Sequence, residues 1–404
     1  MSATDPFGNP VTVSEGAARA AVDDFVEGLL ACETRVQGIA EVARADDSAL
    51  VQAYAAMLEM FAERADAPGR AAPHVARAVA SAESATARER RFVAAVAAWI
   101  DGDLERAIAL HEEQSRLAPR DLVSVKLGQY HAFNLGDAQA MLRLALQARA
   151  AAADLAWAHG LAAFGYEQCH RLDEAAAAAT EAISIRRKEP WAHHALAHVL
   201  LTRGTHEDGH AFMREMSGLW TGLNSFMVTH NWWHLALFSI ARGDLDEALD
   251  LYDTQVWGVC PEYSQDQIGA VSLLARLELA GVEVGGRWAA LQPWLEQRVD
   301  DHVQPFLVMH YAYGLARCGS PAADRLLESL ERFALGAPRL TRDAWLRVCL
   351  PACRGLVAYA RGRFADATAA LESALPRLAR VGGSHAQRAL FEQILDDARA
   401  RDAR

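Results

Sequence analysis

The stretch "WIDGDLERAIALHEEQSRLAPRD", Trp99–Asp121, decides the fold. Apolar residues at helical spacing run up to Gly102, Asp103 follows, and a second helical run carries Ala107 before Pro119 closes it. Glycine tolerates the left-handed backbone that ends one helix, and an aspartate just beyond it caps the next. The stretch therefore reads as helix–turn–helix. The same turn recurs at Gly136 in "NLGDAQAM", at His170 in "QCHRLDEAA" and at Gly204 in "TRGTHEDG", each 34 residues after the last. Later turns at Gly243, Gly281, Gly319 and Gly362 are spaced 39, 38, 38 and 43 residues, so the array continues with insertions.

A 34-residue helix–turn–helix period is that of the tetratricopeptide repeat. Strand signals are nearly absent, and small residues at Ala107, Ala175, Ala248 and Ala367 let the two helices of a unit approach closely. The expectation is an all-α fold, an α–α superhelix (a tetratricopeptide-repeat solenoid) of about eight helix pairs with a concave and a convex face. Residues 1–14 are expected to form a flexible tail and residues 15–90 a helical N-terminal cap. Residues 91–404 would be the repeat array, continuous with that cap. The charge run "RERR" at 88–91 is expected on a solvated helix face.

Composition narrows the partners. The chain has 404 residues, 52 % hydrophobic and 23 % charged, which is the make-up of a folded chain. Its net charge of −12 argues against nucleic acid or an anionic membrane as partner, because both call for basic surface. No run of about 18 apolar residues predicts a membrane span, and "MSATDPFGNP" has no signal-peptide pattern. Six scattered cysteines, Cys32, Cys169, Cys260, Cys318, Cys349 and Cys353, without a CxxC, are expected as free thiols in a reducing cytoplasm.

In this repeat class the groove is lined from the first helix of each unit, about 13, 10 and 6 residues before the turn. Carried onto this chain, that geometry selects Val123, Lys126 and Tyr130; Trp157, Gly160 and Phe164; Trp191, His194 and His198; His230, Trp233 and Leu237; and farther on Phe306, Met309 and Tyr313. Nine of the 15 histidines lie between His159 and His234. A groove that clamps a peptide carboxylate needs fixed cations, and here Lys126 stands almost alone. Flat apolar faces with a few orienting polar groups suit a small, flat or aromatic ligand instead. Two alternatives stay open beside that pocket. The rings can be ordinary core, or the groove can be a scaffold that takes a partner peptide or helix. An exposed convex face would also allow a homodimer.

Within "THNWWHLALF", Thr229–Phe238, His230 and His234 share one helical face, as His194 and His198 do one repeat earlier. Two such pairs are a weak candidate for zinc or another divalent metal, since no HExxH glutamate and no clear carboxylate completes them. No cofactor is otherwise called for. Acid–base chemistry needs no metal, and His198, His230 and His234 are its catalytic candidates, with Glu167 one turn past Phe164 as an orienting carboxylate. Ser384 beside His385 is read first as the N-cap of a helix after the Gly382–Gly383 bend. Trp232 is expected to pack on the neighbouring helix while Trp233 faces the groove.

Three stretches, "WAHHALAHVLLTRG", "THNWWHLALFSIARGDLDEALDLYD" and "GGSHAQRALFEQIL", resemble the tetratricopeptide-repeat-protein-38-like family, and the likeness extends to "ADDSALVQAYAAML" near the N-terminus. The resemblance implies a solenoid and leaves the biochemical role undefined. It singles out His198, His230, Asn231, Trp232 and His234, with His310 and Gly383–Arg388 as further positions. Where the family pattern leads one to expect an acidic residue just before His310, this chain has Val308 and Met309. The expected ligand contacts are therefore Lys126, Tyr130, Trp157, Phe164, Glu167, Trp191, His194, Asn231, Trp233, His310, Tyr313 and His385.

Overall fold

The structure is a computed structural model and describes residues 3–403. Among them the fold is all-α, with only two isolated β-bridges, Thr4 to Pro10 and Glu33 to Leu223. The turns read from the sequence are its organising feature. Gly102, Gly136, His170, Gly204, Gly243, Gly281, Gly319 and Gly362 all have positive φ, between 55° and 89°. At each of them the next residue's N–H reaches back five residues, as from Asp103 to the Ala98 carbonyl (2.8 Å) and from Arg363 to the Ala358 carbonyl (2.9 Å). This closes the first helix by satisfying carbonyls that would otherwise lack donors. Asp103, Asp137 and Asp244 then cap the second helix by accepting from its third N–H. Ala107, Ala175, Ala248 and Ala367 are buried where the paired helices meet.

The longer spacings have local causes. A π-helical turn at Tyr252–Val256 follows the Leu245–Leu251 helix, and another at Trp345–Cys349 precedes Leu350–Ala360. Such turns accommodate inserted residues without ending the helix. Gly281 is followed by valine rather than a capping aspartate, and the next helix starts only at Arg287.

Two compact units divide the chain. The first comprises the chain up to Phe133 with 137–199 and 219–227; the second comprises 134–136, 200–218 and the chain from Val228 onward. In the first unit the cap helices Ala17–Leu30 and Ala49–Phe61 meet through Phe25 stacked on Tyr54, with ring centroids 4.2 Å apart. Residues 219–227 return to this cap, where Asn224 N–H donates to the Cys32 carbonyl (2.7 Å).

Two local expectations need correcting. The segment expected as a flexible tail is packed over its described residues: Phe7, Val11 and Val13 are buried, and Asp5 accepts from the Phe7 and Asn9 amides at 3.0 and 2.9 Å. Apolar side chains at alternating positions give this segment a face to bury, and Phe7 lies against Trp157, centroids 5.2 Å apart. The "RERR" run is not a uniform solvated face either. Arg88 and Glu89 are buried, Arg88 in an ion pair with Asp121 at 2.9 Å, while Arg90 is exposed. No helix among the described residues is long and apolar enough to cross a membrane.

Candidate functional site

In the first unit the candidates sit on three first helices, Leu122–Asn134, Ala156–Gln168 and Pro190–Arg203. Phe164 contacts Trp191, His194 and His198, with centroids 4.9, 5.2 and 5.8 Å away. Trp191 and His194 lie 4.8 Å apart, and the Lys126 ammonium stands 4.4 Å from the centre of the Trp191 ring. His194 and His198 bring their Nε2 atoms to 3.0 Å, and His198 Nδ1 lies 3.6 Å from Glu167 Oε1. The helical i, i+4 relation supplies the first contact. The second joins two repeats. Glu167 thus stands beside His198, at a separation longer than a hydrogen bond.

The unit draws other candidates elsewhere. Tyr130 donates to Glu63 (3.0 Å) and packs with Phe61 and Trp99. Trp157 lies between Phe7 and the Arg186 guanidinium, 5.2 Å from each.

Glu189 belongs to this site and was missed in the sequence. It precedes Pro190, a residue suited to the first position of a helix, so its signal was that of a helix cap. Its carboxylate accepts from the Ala192 amide and faces Gly160, where a Cβ would stand 3.1 Å from Oε2. Burial pushes its pKa up to about 7, against the lowering effect of the Ala192 amide and the charge of Lys126. An unfolded glutamate titrates near 4.5. The folded protein therefore holds a proton that the unfolded chain releases, and stability present below pH 4.5 is lost as pH rises through 7. Glu189→Gln is expected to raise stability by about 3 kcal/mol at pH 8 and to leave it unchanged at pH 4. Urea unfolding at the two pH values checks this, and equal effects at both would refute it.

In the second unit the part of Ser225–Arg242 from Val228 onward holds His230, Asn231, Trp233 and His234. His230 stacks on Trp233 at 5.1 Å with an interplanar angle of 9°, and His234 meets both rings edge-on at 4.8 Å. Trp232 is only half-buried and lies under Arg214 of the His206–Ser217 helix, 6.0 Å away, while Trp233 is 1 % exposed. His310 on Pro305–Arg317 donates from Nδ1 to the Phe306 carbonyl (2.9 Å) and packs on Phe306 and Phe391. Burial holds its pKa down to about 4, and the charge of Arg276 adds to that effect.

Ser384 N-caps the His385–Asp402 helix in a reciprocal pair with Gln387, as read, and His385 Nδ1 lies 3.2 Å from Arg388. Gly383 is required there, because a Cβ would come within 2.5 Å of the Phe306 ring. Tyr313 stands apart, against Trp288 and Tyr359.

Arg276 on Ser264–Leu279 is the second residue the sequence reading missed. Its guanidinium lies 5.3 Å from the centre of the Trp233 ring. The available signal was a single arginine inside "LLARLEL", where Leu273, Leu274, Ala275 and Leu277 are all fully buried.

No protein-family model matches the chain. Among solved structures it is similar to TTC0263, a thermophilic tetratricopeptide-repeat protein of Thermus thermophilus, at 17 % identity and TM-score 0.39, over 46 % of this chain and 99 % of that one. It is also similar to the tetratricopeptide-repeat domain of P58(IPK), at 11 % identity and TM-score 0.23, over 79 % of this chain and 99 % of that one. A third likeness is to Naa15/Naa10 bound to HypK-THB, at 12 % identity and TM-score 0.28, over 96 % and 63 %.

Proposed function

We propose that this protein binds a small, flat ligand through the tryptophan and histidine side chains of its first helices, within a fold of the tetratricopeptide-repeat type. The narrower kinship with the tetratricopeptide-repeat-protein-38-like family belongs to the same proposal. One observation carries it. The indole N–H groups of Trp157, Trp191 and Trp233 are buried and have no acceptor among the described residues. An unpaired buried donor costs about 1–3 kcal/mol, and native structures rarely keep one without reason. Here three occur at positions picked for the groove, two of them one repeat apart. An acceptor on a ligand would satisfy them. A peptide-binding scaffold gains nothing from such groups, and it would display side chains such as Trp157 and Trp233 rather than bury them.

His198 has the Glu167 carboxylate 3.6 Å away, close enough to orient the imidazole for acid–base work once a bound molecule draws the two together.

Native mass spectrometry of the protein as purified, followed by a thermal-shift panel of planar metabolites, tests the reading. A co-purifying mass lost on denaturation, or a saturable rise in Tm that Trp191→Phe and Trp233→Phe reduce, is expected. A bare-chain mass together with no response across the panel would overturn it in favour of the scaffold.

One distance favours a second reading for the first unit. The Nε2 atoms of His194 and His198, 3.0 Å apart, need to spread by only about 0.4 Å to be neighbouring tetrahedral ligands of one zinc ion, and the pair offers two of the four positions zinc takes. Elemental analysis after zinc loading should then find about one ion per chain, abolished by His194→Ala. A wild-type content at the blank level would dismiss it.

A further inference from the structure

We propose that Arg276 is the anchor of a binding site for a small oxyanion, a carboxylate or a phosphate group, inside the second unit. This deepens the ligand-binding reading and rests on it.

The buried arginines among the described residues are Arg88, Arg276 and Arg298. Arg88 has Asp121 at 2.9 Å, and Arg298 has Asp301 at 2.7 Å. Arg276 has no carboxylate among the described residues, although it is only 5 % exposed. Its hydrogen bonds go to neutral acceptors: the Ser272 hydroxyl at 2.5 Å, the Ser272 carbonyl at 3.4 Å and the Ala386 carbonyl at 2.7 Å. Burying a cation without a counter-charge is costly, and neutral acceptors return only part of that cost. The same burial pushes the Arg276 pKa down to about 9.

A second, independent observation points the same way. The guanidinium lies over Trp233, whose own N–H is buried with no acceptor among the described residues. A full positive charge without a carboxylate and an indole donor without an acceptor therefore occur on neighbouring groups. One oxyanion answers both needs, as a charge-assisted acceptor for the guanidinium and a lone pair for the indole.

The surroundings favour negative charge as well. Through Ala386, Arg276 holds the first turn of His385–Asp402, an 18-residue helix whose N-terminal end carries the positive pole of its dipole. His385 and Arg388 share that first turn, 3.2 Å apart.

The test measures Tm of the full chain at constant ionic strength, against sodium acetate, sodium phosphate, sodium benzoate and benzamide, the uncharged counterpart of benzoate. The same titrations are run on Arg276→Met, which keeps an unbranched apolar stem and removes the charge. Wild type should show a saturable rise in Tm with at least one anion. A response to phosphate alone marks a phosphate group, and one to acetate and benzoate marks a carboxylate. Arg276→Met should require at least tenfold more of that anion, with a Tm at zero anion equal to or above wild type, because an unpaired buried charge has been removed. A merely structural arginine predicts a lower Tm at zero anion, with any anion response unchanged. Equal responses to benzoate and benzamide, retained in Arg276→Met, would overturn the oxyanion site while leaving small-ligand binding intact. No response to any of the three anions would overturn the site as well, and the co-purified mass would then decide the broader reading separately.

Discussion

Asp121→Ala is expected to destabilise the first unit by about 3–5 kcal/mol, among the largest effects of any single substitution in the protein. Asp121 is buried with Arg88, and its carboxylate serves three partners at once. Oδ2 accepts from Arg88 at 2.9 Å and from Gln114 at 2.8 Å, and Oδ1 accepts from the Ser124 amide at 3.2 Å. Arg88 in turn donates to the Pro10 carbonyl (3.2 Å), so the pair also ties the N-terminal segment to the helix Ala87–Ile100. Removing the carboxylate leaves a buried cation with the Pro10 carbonyl, the Tyr54 hydroxyl and the charge of Asp5 in place of its ion-pair partner. The cost comes from that orphaned charge more than from the attraction lost. The double variant Arg88→Met with Asp121→Leu should therefore recover most of the stability, since a buried pair exchanged for apolar groups of similar size is often neutral. Urea unfolding of the three proteins checks this. A double variant as unstable as Asp121→Ala would show that the network's geometry, not its charge, matters.

Acidification is expected to have an effect of similar size. His111, His131 and His193 are all buried in the first unit. Burial holds the pKa of His111 and His193 down to about 4, and that of His131 well below its ordinary 6.5. For His193 the partners fix the neutral form: Nε2 donates to the Arg187 carbonyl (2.8 Å) while Nδ1 accepts from the Trp220 indole (3.2 Å). A proton on Nδ1 would set two donors against each other. Below pH 6.5 the unfolded chain binds protons that the folded unit refuses, so stability present above 6.5 is lost as pH falls. Glu189 acts the other way over the same range, because the folded protein keeps its proton up to about 7. Among these four groups, three protons against one leave a net uptake of about two on unfolding of the first unit. The slope should be about 3 kcal/mol per pH unit between pH 6 and 5. Glu189→Gln should steepen it to about 4 kcal/mol per pH unit, since the opposing group is gone. Urea unfolding at closely spaced pH values measures the slope. A flat profile would mean that these imidazoles are already charged in the folded protein.

The candidate residues were legible to different depths. Phe164, Trp191, His194 and His198 could be grouped from repeat spacing alone, and their rings do meet. Spacing also placed Glu167 near His198. It could not tell that Tyr130 would turn to Glu63, or that Tyr313 would pack on Trp288 and Tyr359, because those partners come from other repeats and from the cap. The N-terminal segment misled for the same reason. Its Phe7 and Asp5 look like loop residues until Trp157 and Arg120 come within reach, the latter donating to the Phe7 carbonyl at 2.8 Å.

The sequence by itself determined the all-α class, the eight turns and the pairing of helices within a repeat. Each depends on contacts only a few residues apart: a left-handed turn, a bond reaching back five residues, an alanine facing its partner helix. Only the tertiary structure decided which charges would be buried and what they would find there. Arg88, Arg276 and Arg298 look alike in the sequence, yet two meet a carboxylate and one meets carbonyls, a hydroxyl and a tryptophan ring. The energy of a buried charge is set by the neighbours that replace its water. For Arg276 two of them, Ala386 and Trp233, come from other helices, far away in the chain.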